Sequence, residues 1–260
     1  MLSFDPTLLI SRHKFLFEAP DNSANIYSFD GDDRALQIAD LVTRFAMALG
    51  TTDLRTAGAI FFKRYCPIFA GAVYAWLHHR WALDVSYVNM KVTLTGNNVK
   101  FHLLGTSQVA GIESLSSDEE KDEAYMRHLF QDHASPLVAA VSAHTGISQP
   151  ALWHTIAYSI SYWRQEWLAE SETELLNERI EQWFRYATSR STPSWLPDKR
   201  INPISCEFRA LDDPLQEGHK ILIRKACCMN YKLPGEEPHY CYTCPLISDE
   251  QRMEQYLEAH

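Results

Sequence analysis

The sequence predicts an α+β fold, mostly helical, with a small antiparallel sheet or hairpins and a C-terminal element rich in cysteine. Three observations lead there. Apolar residues recur at helical spacing through most of the chain up to residue 190. Shorter stretches instead alternate apolar with polar residues, which is the period of a strand. Four of the six cysteines then fall within eighteen residues, from Cys227 to Cys244.

Near the N-terminus, Ser3 or Asp5 can cap a short helix opened by Pro6. Asp30 to Asp33 precede a second helix, in which Ala35, Ile38, Val42, Phe45 and Leu49 share a face and Gly50 supplies the stop. Residues 53–65 and 68–79 predict two more helices around Pro67, rich in the small and aromatic residues of buried helices. The pattern then changes. Leu83, Val85, Tyr87, Val92 and Leu94 alternate with polar residues, as do Val99, Phe101 and Leu103, and Gly96-Asn97-Asn98 is a hairpin signal. The acidic stretch 116–122 opens another helix, where negative charge suits the positive end of the helix dipole. Residues 136–190 predict three helices, two of them carrying the stripes Leu152, Ile156, Ile160, Trp163, Trp167 and Leu176, Ile180, Trp183, Ala187. Pro193, Pro197 and Pro203 mark a connector, beyond which 206–211 and 219–226 predict strands. In the second strand Lys220, Leu222 and Arg224 alternate with Ile221, Ile223 and Lys225. The expected organisation is a mainly helical domain over residues 1–200, with a hairpin near 83–104, and a C-terminal region over 201–260.

A net charge of −9 argues against a general nucleic-acid binder, which needs a basic footprint. Arg12, His13 and Lys14 follow a short apolar run with no cleavage-type site, unlike a signal peptide. The most apolar stretch, 57–77, is interrupted by Lys63, Arg64 and Pro67, so it predicts a buried helix rather than an integral membrane segment. The expectation is a soluble cytoplasmic protein. There, grouped cysteines point to metal or redox chemistry rather than to a disulfide scaffold.

The group reads Cys227-Cys228, twelve residues, then Cys241-Tyr-Thr-Cys244. A Cys-x-x-Cys pair alone fits a zinc knuckle, a redox pair or chance. The adjacent pair favours two metal ions over one. Neighbouring residues of an extended chain point to opposite faces, and vicinal thiolates bind a single tetrahedral ion only under strain. Two sulfide-bridged irons relieve that strain. From spacing alone an iron–sulfur cluster is the favoured reading, and zinc or a disulfide stay open. Cys66 before Pro67 and Cys206 on a presumed strand read as apolar residues rather than ligands. Pro234, Gly235 and Pro238 let the intervening loop turn back.

With these residues in view, the chain resembles the ferric-siderophore reductases of the FhuF family, which end in Cys-Cys, a spacer and Cys-x-x-Cys. Cys227, Cys228, Cys241 and Cys244 match that motif, and Leu222 to Pro234 resembles the family's basic run, cysteine pair, aromatic residue and Leu-Pro. The spacer here is longer than the family's usual one. The resemblance implies one 2Fe-2S cluster on those four cysteines, and reduction of Fe(III) in a hydroxamate-type ferric siderophore. It implies electrons from a separate donor such as a ferredoxin or a reductase; no Gly-rich dinucleotide loop is visible. The alternatives are a zinc-stabilised binding module and a siderophore-binding or iron-release protein that performs no reduction.

From His219 to Gly235 there are four basic residues, Lys220, Arg224, Lys225 and Lys232, and no acidic one. They predict a basic lip that attracts an anionic chelate or an acidic donor; solvated charges guarding an edge strand are the plainer explanation. Tyr231, Tyr240 and Tyr242 flank the ligands as packing residues, and His239 is a spectator or a hydrogen-bond donor to sulfur. Lys63-Arg64 and His78-His79-Arg80-Trp81 are further candidates for a chelate-binding face.

Overall fold

The computed structural model describes residues 6–20, 25–191, 193–235 and 238–260. The first helix, α1 (Thr7–His13), follows Pro6 as expected, while its candidate caps Ser3 and Asp5 lie outside the described residues. Short strands β1 (Phe15–Leu16) and β2 (Asn25–Tyr27) come next. Helix α2 (Arg34–Ala48) buries Ile38, Leu41, Val42 and Phe45 at helical spacing. Helix α3 (Leu54–Tyr65) starts where the Asp53 carboxylate accepts from the backbone N–H of Arg55 at 3.0 Å and Thr56 at 3.2 Å. Pro67 does not break the helical run so much as open α4 (Pro67–His79), since Cys66 between the two helices keeps helical φ and ψ. Gly71 on α4 is needed for close packing: a Cβ there would lie 2.4 Å from the Phe15 ring and 2.8 Å from His13.

Strands β3 (Met90–Thr95) and β4 (Asn98–Leu103) pair antiparallel through a turn in which Gly96 has φ +57°. The sheet order is β1-β4-β3-β2, with β1 parallel to β4. The predicted strand character of Leu83, Val85 and Tyr87 does not materialise. Leu83 makes one isolated bridge to Gln108, and residues 87–89 form a 3-10 turn. Alternation there reflects burial among helices: the Tyr87 hydroxyl donates to the His133 carbonyl at 2.5 Å, and Asp84 caps the Ser86 N–H at 2.9 Å.

Helix α5 (Asp118–Met126) begins in a Ser117/Glu120 capping box. It runs through a π-helical stretch, Arg127–Ala134, into α6 (Ser135–Thr145). Helices α7 (Gln149–Glu170) and α8 (Glu174–Ala187) complete the helical body. One contiguous hydrophobic core runs from Leu9 to Ile204 and includes Trp76, Trp167, Trp183 and Trp195. After the proline-rich connector, β5 (Arg209–Asp212) and β6 (Lys220–Ile223) form a two-stranded antiparallel hairpin, with Arg209 opposite Ile223. The C-terminal helix α9 (Asp249–Ala259) starts in a Ser248/Gln251 capping box. The fold is thus mostly helical α+β. Among the described residues no helix is long and apolar enough to cross a membrane.

Candidate metal centre

Strand β6 delivers the chain to the cysteine pair and ends one residue short of Arg224. There the ladder gives way to a different bond: the Arg224 N–H donates to the Thr243 carbonyl at 3.1 Å, tying the two halves of the motif together. The Cys241–Cys244 segment closes on itself through Cys244 N–H to the Cys241 carbonyl at 2.8 Å. Met229, after the Cys pair, adopts φ +58°, and its N–H points at the Cys227 sulfur at 3.3 Å. A left-handed residue directly after Cys228 bends the chain back, and the strained conformation is held by the site around it.

The four thiols come together as two pairs. Cys227 Sγ and Cys244 Sγ are 3.6 Å apart, and Cys228 Sγ and Cys241 Sγ are 3.7 Å apart. Each pair takes one sulfur from each half of the motif. All four are free cysteines, with Cys228 and Cys244 buried and Cys227 and Cys241 half-buried. Among the described residues no three His, Cys, Asp or Glu side chains converge on one point as ligands of a single ion would. Two thiolates on one tetrahedral metal with bonds of about 2.3 Å lie about 3.8 Å apart, so each observed pair has the separation of two ligands on one metal. The donor set and spacing fit a binuclear cluster.

Two cations face this site. Lys63, from α3, reaches the Cys241 sulfur with Nζ at 3.8 Å. Arg224 is only 4% exposed, its guanidinium lies 5.7 Å from the Tyr158 ring centre, and its Nε has no hydrogen-bond partner. Burial alone lowers the guanidinium pKa, but the Cys228 and Cys241 sulfurs reverse the shift and hold it above its usual value. The positive charge is therefore concentrated on the Cys228/Cys241 side.

The four basic residues of the C-terminal stretch do not form one surface. Lys220 is ion-paired with Asp212, and Lys232 reaches Asp53 at 3.4 Å, which docks the loop against the start of α3. Lys225 is exposed and lies against the Cys206 thiol, whose pKa burial raises. Only Arg224 turns inward. Of the other candidates, Lys63 joins the centre. The His78 ring instead stacks on Tyr74 at 4.3 Å, and Arg80 pairs with Asp118 at 2.5 Å. Tyr231 and Tyr240 stack at 4.8 Å, as packing residues do. His239 is exposed. Cys66 is buried, and burial pushes its thiol pKa up, as for an inert apolar residue.

A residue that the sequence did not single out holds the second half of the motif. Arg252 of α9 is completely buried and donates to the carbonyls of Tyr242 and, at 3.2 Å, of Ile247. In sequence it is one charged position of a polar helix, and only its i,i+4 relation to the capping Ser248 and to Tyr256 hints at an inward face.

An open cleft of about 270 Å³ ends on the Cys241 side of the centre, walled by Lys63, Tyr158, Tyr162, Arg224 and Tyr242. Burial pushes the phenol of Tyr162 up to about 12 and raises Tyr158 and Tyr242 as well, so all three remain neutral O–H groups at neutral pH.

A mostly helical body whose C-terminal loop gathers four thiols beside the buried Arg224 and the exposed Lys63 has the donor set of an iron–sulfur protein. Residues 59–213 match the family described as a ferric iron reductase FhuF-like transporter, and residues 224–246 match the FhuF 2Fe-2S C-terminal domain. The chain belongs to this FhuF-like ferric iron reductase family and carries its 2Fe-2S domain. Among curated proteins, none matches the chain.

Proposed function

We propose that the protein reduces Fe(III) held by a hydroxamate-type siderophore and so releases Fe(II) in the cytoplasm. The observation that carries this reading is the half-buried Cys241 sulfur at the inner end of an open, tyrosine-walled cleft. In this reading Cys227, Cys228, Cys241 and Cys244 hold the cluster, with Cys227 and Cys244 on one iron and Cys228 and Cys241 on the other, following the two close sulfur pairs. Residues 201–260 hold the cluster, and the helical body over 1–200 supplies the walls against which a chelate rests.

When bound, the cluster supplies a one-electron carrier at the base of the cleft. The chain's own residues do the rest. Lys63 and Arg224 place positive charge beside Cys228 and Cys241 and so favour the more negative, reduced state of whatever those sulfurs bind. Tyr158, Tyr162 and Tyr242 wall the cleft with neutral rings that limit water around Cys241. Hard oxygen donors hold Fe(III) far better than Fe(II), so a single electron loosens the chelate without a bond-breaking catalyst. The proposed electron source is a separate donor, a ferredoxin or a reductase.

The test is stopped-flow reoxidation. Dithionite-reduced protein, freed of excess dithionite, is mixed with ferric siderophores, and the visible spectrum is followed while a chromogenic chelator traps Fe(II). One Fe(II) per reoxidised cluster is expected. A reduced spectrum that persists with every siderophore tried would sink the reading.

A further inference from the structure

The two half-buried sulfurs of the centre open in different directions. Cys241 lines the tyrosine-walled cleft, whereas Cys227 lines a separate one of about 190 Å³ with Arg55, Ile147, Leu152, Thr155 and Met229. The two clefts follow one another along the groove between α3 and α7. On α3, Arg55 and Ala59 border the Cys227 cleft and Lys63 the Cys241 cleft, three positions at the four-residue spacing of one helix face. On α7, Ala151 and Leu152 border the first and Tyr158 and Tyr162 the second, with Thr155 and the buried Arg224 shared between them. From Arg55 to Lys63 the helix advances about 12 Å. The centre therefore has two ends, one at each half-buried thiol.

The Cys227 end is too small for a chelate, since small-molecule sites run from about 300 to 1,000 Å³. Its floor is apolar: Ala59, Ile147 and Leu152 are buried, and Met229 is half-buried. Cations flank it. Arg55 is exposed on the first turn of α3, and Lys225 is exposed two residues before Cys227. Lys225 stands close enough to α7 that its charge adds to burial in lowering the pKa of His154. Neither cation forms an ion pair with a described carboxylate, and no carboxylate lines the cleft among the described residues. Asp53 caps α3 and pairs with Lys232, and Glu207, beside the Cys206 thiol that Lys225 meets, pairs with Arg190 at 2.5 Å. An apolar floor inside a charged rim is the anatomy of a protein-docking patch. In a chain of net charge −9 this rim is a local reversal of sign.

We propose that the Cys227 end is the docking face for an acidic one-electron protein of the ferredoxin class, seated by Arg55 and Lys225. This rests on the reductase reading for the direction of electron flow and adds the point of entry. One electron leaves the reduced donor and enters at the Cys227/Cys244 pair, with no atom transferred, while the Cys241 end stays open. The donor's acidic surface complements the rim and steers the encounter, and the apolar floor lets it settle close to the Cys227 sulfur. Donor and chelate then occupy opposite ends of the groove and need not displace one another.

The test uses the oxidised holoprotein and an acidic 4Fe-4S ferredoxin, whose broad absorption leaves the visible bands of a 2Fe-2S cluster readable. In hydrogen–deuterium exchange, oxidised ferredoxin should protect residues 54–59 and 225–230 and leave 158–162 unprotected. Calorimetry at low salt should show affinity falling on the order of tenfold or more for Arg55→Glu with Lys225→Glu, and by a smaller factor for the corresponding glutamine pair. Lys100→Glu with Arg185→Glu removes the same charge from other faces and should leave affinity nearly unchanged. Reduction of the cluster by reduced ferredoxin should slow in parallel, with reduction by dithionite far less affected. The difference should fade toward 1 M salt, where the Debye length is about 3 Å. Glutamate at position 55 suits the start of a helix, and a retained visible spectrum and helical circular dichroism verify that each variant is folded. Unaltered affinity in the Arg55/Lys225 variants, equal weakening by the control pair, or protection confined to 158–162 overturns the docking face. If no ferric siderophore reoxidises the reduced protein, the reductase reading fails, while the ferredoxin affinities still decide the face.

Discussion

Arg224 illustrates how one side chain changes role once its surroundings are known. Its alternation with Lys220 in the sequence places it on an exposed strand face, yet it is 4% exposed and directed at Cys228 and Cys241. The reason is local: β6 stops at Ile223, and the bond from the Arg224 N–H to Thr243 rotates the chain inward. A buried cation beside thiolates stabilises added negative charge. Arg224→Met should therefore retain the cluster but lower its midpoint potential by on the order of 60 mV, a tenfold change for a one-electron couple, read by a redox titration of the visible absorbance. The cysteines give a sharper contrast. Serine at 227, 228, 241 or 244 should remove or badly weaken the visible spectrum, whereas Cys66→Ser and Cys206→Ser should leave it unchanged. All four ligand candidates were legible because they are close in sequence. Lys63 was legible as a candidate for a chelate-binding face but not as a neighbour of a cysteine, since the sulfur it meets lies 178 positions away.

At the scale of elements, the helices were readable because their apolar stripes coincide with burial: Ile38, Val42 and Phe45 on α2, and Leu152, Ile156, Ile160 and Trp167 on α7. The β3–β4 hairpin was readable from Gly96-Asn97, but its predicted approach through Val85 and Tyr87 was not a strand, because burial between helices also alternates. What could not be read is how α9 serves the site. Its Arg252 is the buried peg under the Cys241–Cys244 turn, donating to carbonyls on either side of Cys244. Arg252→Met removes those donors and leaves buried carbonyls without partners, a loss of on the order of 3 kcal/mol. The expected result is a lower thermal midpoint and faster loss of the visible chromophore to a chelator, both read on the purified holoprotein. Unchanged chromophore loss would show that the turn holds its shape without α9.

For the whole molecule, buried neutral histidines set the acid limit of stability. Burial pushes His13 and His133 down to about 3 and His78 down to about 4. In the unfolded chain each would titrate near the ordinary value of about 6.5. Below that pH the unfolded state binds more protons than the folded one, so stability falls as pH drops from about 6.5 toward the folded values. His13 and His133 each contribute about 1.4 kcal/mol per pH unit in that window. Thermal midpoints should therefore decline steeply between pH 6 and 4. His13→Phe should flatten the decline, because the ring lies 4.4 Å from Trp163 and neither of its nitrogens has a hydrogen-bond partner to lose. The chain's layout also bears on its manufacture. The core that seats the centre closes with Ile204, while the first candidate ligand arrives at Cys227. At ribosomal rates of roughly 5–20 residues per second, α3 with Lys63 precedes the four cysteines by on the order of ten seconds. The cluster's seat is thus synthesised before the segment that brings the thiols and, through Arg252, the clasp that fastens them.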